Sequence, residues 1–453
     1  MCVEGSGPDR RRGLARWLEQ WASGPSALTV RAFRQELAGT VPLATVYCVV
    51  GSGFCGFVGR KGLQMPDYLL ALLMASNFMG LLLAGPLIGL FQRVAKARAL
   101  ARLLQAVSLV LLSVGLTPSS QAQGYGAYLF VAQVFLIQTG VALTTTLRSA
   151  IWRANYAADF RGKLVVLIQL AMMIGASVTV LLFTAFMDRW NVPFQAVYAC
   201  SGVSGFVAAA RFLRLPVRGE QRQLQSLRIR PLAKVPLLAG LGVLRRDRPF
   251  RLYMTCQMLN GLATLAVEVV LVIIVADVLD SGWVMGGSAL TVIPLAVTGL
   301  ASLGWARWFD KTDIFRCRFW AASCWAVSRL VLLAGVYGQS MSIILLSRVV
   351  SGVAGGGGQL AWRLGHMQFA PPEQDALYMG AHVSLTGLRG MVAPFVGIFL
   401  YRQAWLGPHG IGLIALSAVC QLLAAVGFLY LRRHAQPLGK SEPATGHNRS
   451  CLR

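Results

Sequence analysis

Along this chain, long apolar blocks alternate with short polar, mostly basic, interruptions. An α-helix needs roughly 20 largely apolar residues to cross the hydrocarbon layer of a membrane. From residue 41 onward the pattern predicts twelve such helices. The first six fall at 41–58, 67–91, 100–117, 126–147, 164–187 and 192–213. The second six fall at 250–276, 284–305, 317–338, 341–362, 377–401 and 409–431. The expected fold is therefore an all-α integral membrane protein. Its divisions are a basic N-terminal segment (1–40), a six-helix bundle (41–213), a basic linker (214–249), a second six-helix bundle (250–431) and a tail (432–453). Two apolar halves of similar length joined by a polar linker point to an internal duplication.

Composition agrees with this reading. The 453 residues are 56% hydrophobic and 13% charged, where soluble domains carry about 25% charge. The net charge of +25 has a sided distribution. With the N-terminus inside, the inner loops and tails hold 35 of the 42 Lys and Arg, and the outer loops hold Arg60, Lys61, Arg189 and Arg402. That bias is the positive-inside pattern and places both termini in the cytoplasm. It also excludes a nucleic-acid-binding role, which would gather basic residues on a soluble domain. Ahead of the first block, Arg10, Arg11 and Arg12 precede Leu14, Trp17, Leu18 and Trp21 at helical spacing. This segment reads as an amphipathic helix on an anionic membrane face or as a frayed tail. The nine Cys form no C-x-x-C pair and the five His are dispersed, so no disulfide framework, metal site or cofactor is expected. No nucleotide-binding G-x-x-x-x-G-K-[ST] loop and no catalytic constellation occur, and enzyme activity is not expected.

Charges inside the apolar blocks are the functional candidates, because each is costly in a bilayer. Glu268 is the acid deep in the seventh block. With Gln257, Asn260 and Thr264 it occupies one helical face, which should line a water-filled cavity. Its basic counterparts are Arg329, Arg348 and Arg389, with His382 seven residues before Arg389. Glu268 reads either as a proton- or cation-binding group or as one half of a structural ion pair. Arg348 could snorkel and His382 could be a packing residue. In the first half Asn77, Gln133, Gln138 and Gln169 could contact a solute or bond between helices. Gly352 and Gly355–Gly358 in the tenth block, and Gly51, Gly53 and Gly56 in the first, allow close helix contact.

Several loops resemble those of the major facilitator superfamily (MFS) of secondary transporters. Asp310-Lys311 followed by Arg316 and Arg318 resembles the family's G-x-x-x-D-R-x-G-R-R loop, with Ala306 and Asp313 in place of its glycines. The loop from Gly89 to Arg98 keeps the basic residues, Arg93 included, but has Gln92 where the family has Asp. Arg161-Gly162-Lys163 is similar to the R-G-R/K signature. Arg348-x-x-x-Gly352-x-x-x-Gly356 and Pro371-Pro372-Glu373 are similar to a helix motif and the loop after it. The resemblance covers about 41–431. It implies two bundles rocking about a central site, with Asp310, Lys311, Arg93, Arg161 and Gly162 at a cytoplasmic gate. It also implies a monomer that moves a small solute across the bilayer, coupled to protons or another ion. The fifth block lacks the Gly-Pro motif of the family's drug antiporters, which weakens an export assignment. The arginine excess favours an anionic solute. The alternative is a transporter-fold protein that assembles or senses through its basic segments. Arg outnumbers Lys, which suggests a GC-rich bacterial genome, and the expected location is a bacterial inner membrane.

Overall fold

The computed structural model describes residues 26–434 except 92, 120–123, 222–223, 226–241, 310 and 372–373. The 10–21 amphipathic stretch and half of the linker lie outside that set. The described residues form helices joined by short turns. This is the form a bilayer demands, because helices satisfy their backbone polar groups internally. The spans are α1 (Ala27–Val50, continued by Ser52–Gly62), α2 (Asp67–Leu87), α3 (Lys96–Val114), α4 (Tyr125–Asn155), α5 (Ala158–Trp190) and α6 (Phe194–Leu213). Then follow α7 (Arg248–Val278), α8 (Trp283–Phe309), α9 (Ile314–Tyr337), α10 (Met341–Leu364), α11 (Asp375–Tyr401) and α12 (Ile411–His434). Eleven described helices are long and apolar enough to cross a membrane, and the bent pair forming α1 makes twelve.

The first span differs from expectation. It starts at Ala27, where Ser26 accepts from the Thr29 amide as an N-cap, and not at 41. Arg31, Arg34 and Glu36 had depressed its apolar character. The helix then bends by 40° at Gly51. The carbonyls released there are caught by other helices. Tyr198 Oη of α6 donates to Val49 O at 2.7 Å, and Gln138 Nε2 of α4 donates to Val50 O.

Helices α1–α6 pack chiefly on one another (α3 on α6, α2 on α4, α1 on α5 and α6), as do α7–α12 (α9 on α10 and α12, α8 on α10, α7 on α11 and α12). The two groups meet through α2 against α11 and α5 against α8. A shift of about 216 residues relates α2 to α8 (starts 67 and 283) and α4 to α10 (125 and 341). The same shift relates π-helical turns that end α1 (Val58–Gly62) and α7 (Ile274–Val278). Below, the inner end of the bundle is the one where α1 begins and α12 ends.

Candidate functional site

The outer end is sealed by charges mounted on those two π-turns and on neighbouring helix ends. Arg60 on α1 donates from Nε to Asp277 Oδ1 of α7 at 3.1 Å, and from Nη1 to Asp67 Oδ1 of α2 at 3.1 Å. Lys61 Nζ donates to Asp280 Oδ1 at 3.2 Å and to Ser281 O at 2.7 Å. Arg402, just after α11, donates from Nε to Asp67 Oδ2 at 2.6 Å. Asp188 near the end of α5 accepts from the Trp283 and Val284 amides at 2.8 and 2.7 Å. A carboxylate there meets the positive end of α8. Each of these acids links α1, α2 or α5 to α7, α8 or α11. Close helix contact reinforces the seal, since a Cβ on Gly53 of α1 would overlap the Leu290 carbonyl of α8. At the inner end no ion pair among the described residues joins the two groups of helices.

Inside this seal lie three abutting cavities. One of about 450 Å³ runs from Ser52 and Gly53 to Arg148 and Trp152 of α4 and to Gln359 and Arg363 at the inner end of α10. A second, about 350 Å³, is bounded by Gln257, Asn260 and Thr264 of α7, with Arg318, Trp325, Trp362 and Arg389. The third, about 310 Å³, holds Glu268 and Arg348. Such volumes suit small solutes.

The polar face expected on α7 is present, and all four of its residues line these cavities. Glu268 accepts from Arg348 Nη1 and Nη2, both at 2.9 Å, and from Arg329 Nη2 at 3.1 Å. Arg348 also donates from Nε to the Ala289 carbonyl of α8 at 3.0 Å, so it points into the bundle. Arg329 is fully buried behind Glu268 with Trp325 against its guanidinium, and lines none of the three cavities. His382 is buried, meets Gln257 Nε2 through its ring Nε2, and packs on Trp362. Thr264 donates to the Asn260 carbonyl and accepts from Gln421 at 3.0 Å.

Other candidates are placed elsewhere. Gln138 braces the bend of α1, and Asn77 is half-buried on α2; neither lines the three cavities. Of the residues assigned to the cytoplasmic gate, Asp310 lies outside the described set. Arg93 and Lys311 are exposed, Arg161 donates to the Tyr156 carbonyl of its own half, and Gly162 faces open space.

Four buried or cavity-lining charges escaped the sequence pattern. Glu36 was not recognised as a second acid deep in a helix. It accepts from Arg148 Nε at 2.8 Å and from Trp152 Nε1 at 3.0 Å. Arg148 and Arg363 lie just past the apolar blocks 126–147 and 341–362, and Arg318 at the very start of 317–338, yet all three line cavities. The available signal was helical spacing: Arg148 shares a face with Thr144 and Trp152, and Arg318 with Ile314 and Ala322.

The Major Facilitator Superfamily model matches residues 41–323, more than half of the chain. The chain belongs to this superfamily. Solved structures with the same fold include the inward-open xylose transporter XylE from E. coli, at 16% identity and TM-score 0.64, covering 92% of this chain and 97% of that one. A mutant form of the nucleoside transporter NupG is 11% identical with TM-score 0.68, covering 89% and 99%. A POT family transporter in complex with a thioalcohol-conjugated peptide is 12% identical with TM-score 0.64, covering 89% and 96%. At these identities the likeness is one of fold. No curated protein matches the sequence.

Proposed function

We propose that this multi-pass membrane protein is a secondary active transporter that moves a small anionic solute by alternating access. One observation carries the reading: the cavities reach the inner ends of α4 and α10, while the outer end is closed by ion pairs, hydrogen bonds and close helix contact between the two groups of helices. Such bonds break and re-form without disturbing either group. The solute is assigned negative charge because arginines outnumber carboxylates along the cavities. Coupling to protons or another ion is assigned to Glu268, the one carboxylate among the described cavity-lining residues. A bacterial inner membrane with cytoplasmic termini, and a monomeric state, complete the proposal.

The test reads alternating access without knowledge of the solute. Ser52 is mutated to Cys in a background without other cysteines, and a membrane-impermeant thiol reagent is applied from either side of oriented vesicles. A transporter labels fast from inside and slowly but measurably from outside. Labelling from one side only, even after the outer ion pairs are removed, rejects transport in favour of a fixed assembly or sensor.

A further inference from the structure

Arginines inside the bundle fall into two groups. Arg148 is neutralised by Glu36, and Arg329 and Arg348 share Glu268. Arg318 and Arg389 have no ion pair among the described residues, although both line the same 350 Å³ cavity, which has no carboxylate in its wall. Arg318 is 6% exposed and is held by neutral acceptors: Tyr253 Oη at 2.9 Å and Gln257 Oε1 at 2.7 Å. Arg389 Nη1 donates to the Gln257 carbonyl at 2.6 Å, and its buried Nε has no partner. A single residue of α7 thus tethers two like charges to one cavity. The backbone also makes room for one of them: a Cβ on Gly261 would overlap the Arg389 guanidinium. A buried guanidinium such as Arg318, and to a lesser degree the half-buried Arg389, is costly without a counter-charge, and an incoming anion recovers that cost. One turn from Gln257, the buried Asn260 Oδ1 has no partner and can accept from a hydroxyl or amide. Trp325 and Trp362 supply flat apolar walls, and Phe78 closes the cavity from α2.

We infer that this cavity binds the head of an organic oxyanion, a carboxylate or a phosphate, whose apolar body lies against Trp325 and Trp362. Arg318 and Arg389 are its counter-charges, Asn260 accepts from the solute, and Gly261 is a positioning residue for Arg389. This inference deepens the transport reading and rests on it.

The purified chain is titrated calorimetrically in detergent with benzoate, phenyl phosphate and the neutral benzamide. At least one of the two anions is expected to bind, with benzamide at least tenfold weaker. Arg318→Gln and Arg389→Gln should each weaken the anion by tenfold or more, and Gly261→Ala should weaken it with no change of charge. Arg389→Gln should also raise the melting temperature of the empty protein, because it removes an uncompensated, half-buried charge. The inference is overturned if benzamide binds as well as the anions, if neither anion binds, or if folded variants bind like the wild type. A lower melting temperature in Arg389→Gln overturns it too, by showing a structural role. The labelling of Ser52→Cys in oriented vesicles separates the failures. Two-sided labelling without anion binding rejects the site and leaves transport standing, whereas one-sided labelling rejects transport itself.

Discussion

Glu36 and Arg148 show how residues that look like loop and tail become interior. Both are almost fully buried, at 0% and 3% exposure, and Arg148 Nη2 adds a bond to Thr40 at 3.0 Å. Removing one partner strands a charge in a low-dielectric site, whereas removing both leaves apolar packing. Arg148→Met is therefore expected to destabilise the protein by about 3–5 kcal/mol. The Glu36→Leu, Arg148→Met double variant should lose clearly less, as measured by unfolding in detergent. A double variant as unstable as the single one would show that the pair is not what matters. The same logic applies to Glu268, which balances two arginines. Its replacement by Gln should lower stability as well as transport, so lost transport alone does not identify a proton carrier. Glu268 was legible because it stands alone in an apolar run. Glu36 was not, because Arg31 and Arg34 nearby gave its segment the profile of a polar tail.

For single helices, the apolar pattern located the spans well and their bends poorly. The break in α1 depends on acceptors lent by the chain and donors lent by α4 and α6. Tyr198→Phe keeps the ring and removes one donor. Interhelical hydrogen bonds in membranes are worth about 0.6 kcal/mol on average and at most ~1.7. Tyr198→Phe should cost about 1 kcal/mol in the same unfolding measurement, and a loss near zero would mean that the bend does not need this bond. The spacing of the α10 glycines predicts a contact face, and the structure adds its partner. Added Cβ atoms on Gly352, Gly356 and Gly357 would meet Val297, Ser302 and Trp305 of α8. Spacing reveals that a helix has a small-residue face, but what packs there depends on the whole arrangement.

Across the whole molecule, the outer charges changed meaning. In the sequence they sum to nothing and serve only to contrast with the basic inner side. In the structure their acids form the bonds that close the outer end. Asp277→Asn and Asp188→Asn should each favour the outward-open state and raise outside labelling of Ser52→Cys by about tenfold, equivalent to ~1.4 kcal/mol. Asp280 has a side chain 92% exposed, where ion pairs contribute little, so Asp280→Asn should change labelling by less than about threefold. Equal effects from all three would argue that the seal is not built from these specific bonds.

Sequence by itself determined the helical class, the number of spans, the family and the sidedness of charge. These follow from local length, composition and periodicity, because the bilayer acts on each segment separately. It also exposed the polar face of α7, which lies within one helix. Only tertiary structure decided which charges are paired and which are left over. Arg148 has Glu36 and Arg348 has Glu268, while Arg318 and Arg389 share only the neutral Gln257. A charge balance in a buried site depends on distances between helices far apart in the chain, and no local pattern encodes those distances.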